Sequence, residues 1–345
     1  MTSMKALVLK EYGKFSHEDV PRPAIGRDEV LVAVKACGIC GSDVHGMDGS
    51  TGRRRPPLIM GHEAAGTVAE TGEAVKHFKR GQRVTFDSTI YCGQCEFCRR
   101  GEINLCQGRR VLGVSCEDYS RDGAFAEFVA VPERVLHPLP DALTFEQAAL
   151  VEPFAIALHA VGRAQVLSSE RTVVIGCGMI GLALIQVLRA RGCANIVALD
   201  VAADKLATAR KCGATTALAA DGAALEKILG LTEGAGADVV LEAVGLPATV
   251  ELAVRAARKG GRVVLVGNVT PTVELPLQWT VTRELTLFGS CASAGEYPEC
   301  LALMERGAID PAPLISAVAP LHEGAAWFDR LYRREPGLLK VVLTP

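Results

Sequence analysis

Apolar and polar residues alternate in short runs through the first part of the chain, at Lys5–Leu9, Glu29–Ala36, Ala65–Glu70, Arg83–Phe86 and Ala126–Val131. A period of two marks a strand with one buried face. Gly, Pro and Asp separate the runs, so this part is expected to form an antiparallel, barrel-like lobe. The pattern changes between Glu170 and Gly289. Apolar runs at Thr172–Ile175, Ile196–Leu199, Val239–Leu241, Arg262–Val266 and Leu285–Phe288, with another at Thr216–Leu218, alternate with helical stretches. Six strands with helical crossovers predict a doubly wound parallel sheet of the dinucleotide-binding kind. Beyond Ser290, Pro298–Arg306 reads as a helix and Leu339–Leu343 as an extended tail. If the tail rejoins the first lobe, the parallel sheet is an insertion in it. The expected class is α/β, with a β-rich lobe beside the sheet.

The 345 residues are 49% hydrophobic and 22% charged, with a formal net charge of -2, which suits a soluble globular chain of two domains. That charge gives no electrostatic case for nucleic acid or an anionic membrane as partner. No apolar run approaches the roughly 20 residues of a membrane helix. Met1–Lys10 lacks the apolar core and cleavage site of a secretory signal, so a cytoplasmic location is expected. Internal repeats and low-complexity tails are absent. The one basic run, Arg53–Arg55, lies in a Gly/Ser/Pro-rich loop. It reads either as a solvated loop tip or as an anion site for a phosphorylated substrate.

Cys92, Cys95 and Cys98 stand at two-residue gaps, and Cys106 follows closely. This spacing suits a closed shell of four thiolates around one structural zinc ion. Disulfides would need an oxidising compartment, and buried core thiols a less polar setting. The other eight cysteines are scattered, and most are expected to be reduced and buried.

Gly176, Gly178 and Gly181 form a GxGxxG pattern after a β-branched run and before an apolar helical stretch, with Met179 and Ile180 inside it. Gly176 permits a tight turn, Gly178 lets a pyrophosphate approach the backbone, and Gly181 lets helix and strand pack closely. Asp200 ends the next strand, where a carboxylate accepts ribose hydroxyls and repels a 2′-phosphate. Val201 follows it, not an arginine, so NAD is favoured over NADP. Asp200 as a plain capping residue is the alternative. Lys205 is a second ribose candidate or else a solvated helix lysine.

Another set of metal donors lies apart from the thiols: Cys40, His62, Glu63 and Glu152. One thiolate, one imidazole and carboxylate suit zinc with a position left open for substrate. Singly, Cys40 also reads as a core thiol and His62 as a hydrogen-bonded loop histidine. Taken in order, Gly38-Ile-Cys40-Gly-Ser-Asp43, Gly61-His-Glu63, the four-thiol lobe, Glu152-Pro153, the Gly-rich turn with Asp200, and Val266-Gly-Asn268 resemble the zinc-dependent medium-chain dehydrogenase/reductase superfamily over nearly the whole chain.

The resemblance implies a GroES-like β-barrel catalytic domain formed by residues 1–153 and 290–345, with the zinc lobe at about 90–110. It implies a Rossmann NAD-binding domain at 154–289, and an active site in the cleft between them. It puts Cys40 and His62 first as ligands of a catalytic zinc, then Glu63, with Glu152 as ligand or water-holder. That makes two zinc ions per chain. Asp43 would orient His62, and Ser42 and His45 would relay the substrate proton outward. Val244, Val266, Gly267 and Asn268 would contact ribose and nicotinamide. Arg283 is either a cofactor contact or a structural salt bridge, and His17, His77, His137, His159 and His322 are expected to be structural or exposed.

Glutamate at position 152, where ethanol-type relatives carry cysteine, resembles the polyol and threonine dehydrogenase branches. The expected activity is oxidation of a polyol, or its phosphate, to the ketone with NAD. L-threonine 3-dehydrogenase and a vicinal-diol (butanediol-type) dehydrogenase are the alternatives. The segment Phe288–Tyr297 lacks the arginine with which sorbitol dehydrogenases grip substrate, and Gly113–Asp122 is expected to line the cleft. A non-catalytic NAD-binding protein on the same fold would be expected to lose Cys40, His62 or Ser42, and all three are present. The family also implies a homo-oligomer, dimer or tetramer.

Overall fold

The computed structural model describes residues 2–345. One compact unit comprises the chain up to Glu152 with Tyr297–Glu305 and Pro311–Pro345, and the other comprises Pro153–Glu296 with Arg306–Asp310.

The first unit is organised around strand Glu29–Gly38, whose sequence EVLVAVKACG is rich in valine. β-branched side chains fit a pleated surface and favour this conformation. The strand pairs antiparallel with Glu63–Thr71 along most of its length and with Phe128–Pro132 at its start. At its end it pairs with the chain's last strand, Lys340–Thr344. Val30, Val32 and Val34 pack in one core with Leu7, Phe86, Phe125 and Phe328. Strand Lys14–Pro21 carries no clear apolar alternation, so the sequence pattern does not mark it. It is held as the partner of Ser3–Glu11, with Lys5 bonded to Asp19 and Lys10 to Glu18 on the solvent side.

The second unit carries the six-stranded parallel sheet. Its spatial order is Thr216–Ala219, Asn195–Asp200, Arg171–Ile175, Ala237–Glu242, Ala257–Leu265, Thr286–Gly289. The expected strand at Arg262 begins earlier, at Ala257: Ala257 pairs with Ala237 and Arg262 with Val239, so the extra residues between Ala257 and Arg262 bulge out of the ladder. Ile175 lies beside Leu199 and Glu242, and Glu242 beside Leu265. The carboxyl ends of four strands therefore share one edge of the sheet, where such folds bind ligands. Among the described residues, no helix is long and apolar enough to cross a membrane.

The expected helix near Pro298 is Tyr297–Glu305, and Tyr297 stacks on His137 with ring centroids 5.0 Å apart. Burial lowers the pKa of His137 to about 4. The unfolded chain takes up this proton near pH 6.5, so the contribution is intact above that pH and is lost as pH falls toward about 4. Urea unfolding at pH 7 and pH 4.5 should show His137→Phe losing less stability with acidification than the native chain. The expected difference is on the order of 1–2 kcal/mol after allowing for partial exposure.

Candidate active site and metal centres

Strand Glu29–Gly38 runs out through Ile39 into Cys40, which caps the short helix Gly41–Gly46. The Cys40 sulfur accepts from the Ser42 backbone N–H at 3.5 Å and from the Ser42 hydroxyl at 3.3 Å. Across the strand pair, Gly61 has a φ of +96°, and a side chain there would meet the Phe125 backbone and the Cys37 sulfur. That turn delivers His62, and Glu63 starts the next strand opposite Gly38. The donor atoms of Cys40, His62 and Glu63 lie within 4.8 Å of one another.

Charged partners surround this group. Glu63 accepts from Lys340 Nζ at 2.5 Å, and Lys340 also donates to the Ile39 carbonyl at 3.0 Å. Both side chains are buried, and the charges of Glu63 and Cys40 raise Lys340 above its usual range although burial opposes this. His62 Nδ1 faces Asp43 Oδ1 at 3.4 Å, leaving Nε2 on the side of Ser42, whose hydroxyl is 3.5 Å away. Burial alone would push Asp43 up, but the charges of His62 and Arg54 outweigh it and hold the carboxyl at about 2. Such a carboxylate–histidine pair fixes the tautomer that offers Nε2 to a metal.

Glu152 stands outside the tight donor group but within its field. Burial and the charge of Glu63 push it up to about 8, against the pull of His62 and Lys340. Two carboxylates with one lysine leave a negative charge short of a partner, which a divalent cation would compensate. The donor set and this charge imbalance fit zinc. Ser42 and His45 are three positions apart on one helix and both are exposed, which puts them on neighbouring turns.

Arg54 corrects the expectation of a solvated loop tip. It is 4% exposed and bonded to Asp43, whereas Arg55 pairs at the surface with Glu117. No local motif marks Arg54 or Lys340, because each meets its partner through the tertiary fold. Arg283 lies over the Trp279 ring at 4.4 Å, and His159 meets Glu296 at 2.7 Å.

In the thiol lobe, the sulfurs of Cys92, Cys95, Cys98 and Cys106 lie within 4.8 Å of one another. Zn–S bonds near 2.3 Å in a tetrahedron put sulfurs about 3.8 Å apart. Cys92 and Cys98 are at 3.9 Å, and Cys95 and Cys98 at 3.5 Å. Backbone N–H groups of Cys98 and Gln107 lower the Cys95 thiol to about 6, toward the thiolate a metal needs. All twelve cysteines are free of disulfides, and Cys37, Cys177, Cys193, Cys212 and Cys300 are buried.

In the second unit, Gly176 has a φ of +93° and helix Met179–Ala190 begins at Gly178. A Cβ at Gly178 would have open space, while one at Gly181 would strike the Gly176 carbonyl. The turn is thus tight on its inner side and open where a pyrophosphate would meet the helix N-terminus. Asp200 accepts from the N–H of Cys177 at 2.7 Å and of Ala202 at 2.9 Å, tying the second strand to the Gly-rich turn. Lys205 lies in the first turn of helix Ala203–Lys211, which follows Asp200. A Cβ at Gly176 would strike the Val244 side chain, which puts Val244 against the turn. Gly267 and Asn268 approach Gly245 so closely that neither glycine has room for a side chain, and Val266 donates to the Glu242 carbonyl at 2.9 Å. These residues share the ligand edge and fit a dinucleotide.

Residues 26–141 match the family model described as Alcohol dehydrogenase GroES-like domain, and residues 180–306 that described as Zinc-binding dehydrogenase. The chain is 33% identical to sorbitol dehydrogenase of Bacillus subtilis (strain 168), over 99% of this chain and 98% of that protein. A zinc-binding dehydrogenase from Sinorhizobium meliloti 1021, solved bound to NADP, superposes with a TM-score of 0.90 at 33% identity, covering 100% of both chains. An alcohol dehydrogenase (rspB) from E. coli CFT073, complexed with NADH, superposes with a TM-score of 0.93 at 29% identity, also covering 100% of both.

Elemental analysis of purified protein should find about two zinc ions per chain. Cys95→Ser should lose one of them together with several degrees of thermal stability. Cys40→Ser should lose the other with little change in melting, and a single zinc in the native protein would remove one of the two assignments.

Proposed function

Because the chain belongs to the zinc-dependent medium-chain dehydrogenase/reductase superfamily, we propose that it oxidises a secondary alcohol of a polyol to the ketone with NAD. The observation that carries this reading is the group formed by Cys40, His62 and Glu63 with the Ser42 hydroxyl against it. Cys40 and His62 would hold the catalytic zinc, and Glu63 and Glu152 would complete its shell or hold a water. Zinc there supplies positive charge that eases loss of the alcohol proton, and NAD supplies the acceptor for hydride. Ser42 takes the proton from the alcohol oxygen, and His45, exposed on the same helix, passes it to solvent. Asp43 holds the His62 ring in orientation.

Gly176, Gly178, Met179, Ile180 and Gly181 receive the pyrophosphate. Asp200 and Lys205 take the adenosine ribose, and Val244, Val266, Gly267 and Asn268 the nicotinamide side. The Arg53–Arg55 run supports a free polyol over its phosphate, since Arg54 and Arg55 already have carboxylate partners. A cytoplasmic homo-oligomer, dimer or tetramer, fits this activity.

A panel of polyols, a polyol phosphate, 2,3-butanediol and L-threonine, each with NAD, tests the reading. Fastest turnover is expected with a free polyol, and oxidation of L-threonine but no polyol would overturn it. Asp200→Gly should raise the KM for NAD about ten- to a hundred-fold, the value of a hydrogen bond to a charged group, and relax the rejection of NADP. Unchanged NAD preference would remove Asp200 from the cofactor site.

A further inference from the structure

Arg54 sits in a loop fixed to the chain at Ser115, where the Arg55 N–H donates to the Ser115 carbonyl at 3.2 Å and the Ser115 N–H to the Arg53 carbonyl at 3.3 Å. Its side chain turns inward over helix Gly41–Gly46. Gly46 makes room for it, since a Cβ there would come within 2.6 Å of Arg54 Cγ. Nε and Nη2 donate to Asp43 Oδ1 at 3.1 and 2.9 Å, and Nη1 donates to the Arg53 carbonyl at 3.0 Å. Nη2 donates also to the Ser42 hydroxyl oxygen at 3.3 Å.

A guanidinium is a donor only, and it stays charged at any working pH. The Ser42 oxygen must therefore accept from Arg54, and its single proton must point elsewhere. The other groups within reach of the hydroxyl are Cys40 Sγ at 3.3 Å and His62 Nε2 at 3.5 Å, the donor atoms assigned to the catalytic zinc. We propose that Arg54 is a positioning residue that anchors the Ser42 oxygen by one lone pair and so fixes the hydroxyl with its second lone pair free to receive the alcohol proton. It touches no reacting atom and acts through Ser42. A purely structural Arg–Asp pair would need only the contacts to Asp43. The additional N–H aimed at Ser42 is the feature that such a pair leaves unexplained, and a lysine, whose donors radiate from one atom on a flexible stem, does not hold both partners in the fixed geometry of the planar fork.

This inference rests on the relay role given to Ser42 above, and its test separates the two. Cobalt is exchanged into the Cys40 site of the full-length protein, and the thiolate-to-cobalt band of that site is identified by its loss in Cys40→Ser. Arg54→Lys keeps a positive charge beside Asp43, so the fold is preserved while the fork is lost. The band should shift in Arg54→Lys as it does in Ser42→Ala, and the double variant should match Ser42→Ala alone. With the preferred alcohol, Arg54→Lys should lower kcat about ten- to a hundred-fold with KM within about two-fold, and should cost nothing further on the Ser42→Ala background. An unmoved band, or losses that add in the double variant, would make Arg54 structural only and overturn the proposal. Should the native protein oxidise no alcohol, the proposed function fails, and the band comparison still decides whether Arg54 orients Ser42.

Discussion

Strand Glu29–Gly38 ends in a residue without a side chain, and two charged partners meet in the space this leaves. A Cβ at Gly38 would come within 2.5 Å of Glu63 Oε2 and 3.5 Å of Lys340 Cδ. Pairing fixes both neighbours, with Glu63 opposite Gly38 on one side and Val342 opposite Gly38 on the other. A one-residue slip in either ladder would turn these side chains to the opposite face of the sheet. Cys40 follows Gly38 by two residues, and His62 precedes Glu63 by one. The register at a single glycine therefore brings together the metal donors and the lysine that neutralises one of them.

The charges around that point are the harder constraint. Buried ions survive only when paired and hydrogen-bonded. Glu63 has Lys340 and Asp43 has Arg54, each at hydrogen-bond distance. Glu152, which is half-buried, has no such direct counter-ion, and desolvation and the charge of Glu63 raise its pKa to about 8. A divalent cation held by Cys40 and His62 would supply the missing positive charge and keep Glu152 ionised. The same balance bears on the choice of carboxylate ligand. Glu63 is already engaged by a lysine, whereas Glu152 would gain more from a metal or from a water that a metal holds.

The thiol set and the Gly-rich turn were legible in the sequence because their residues are local, whereas Cys40, His62, Glu63 and Glu152 are far apart in the chain and were legible only through the family motif around each. Cys92, Cys95 and Cys98 fall within seven positions, and Gly176 to Gly181 within six. The six parallel strands were legible for a related reason, since strands inside a covered sheet read as compact apolar runs. Arg54 and Lys340 were not. Lys340 is 277 positions from Glu63 in the chain, and Arg54 looked like one member of a basic run. What separates Arg54 from Arg53 and Arg55 is the direction in which the loop turns its side chain, and that is set by pairing with Ser115. Strand Lys14–Pro21 was missed because its edge position leaves few side chains to bury, so no alternation is imposed on it.

Asp200 joins the two kinds of information. Its position at a strand end, 24 residues after Gly176, is a local pattern. Its hydrogen bonds are tertiary: one carboxylate oxygen accepts from Cys177 inside the Gly-rich turn and the other from Ala202. Each oxygen keeps lone-pair capacity for a ribose hydroxyl, since an ionised carboxylate has about four acceptor sites. In the proposed cofactor site the same group would both shape the turn that receives the pyrophosphate and present negative charge where a 2′-phosphate would lie. Losing the carboxylate would leave two backbone donors without their partner as well as removing a ribose acceptor. On that proposal cofactor affinity and cofactor choice would be coupled at this residue, since substitution there would act on the shape of the phosphate turn as well as on the charge beside the ribose.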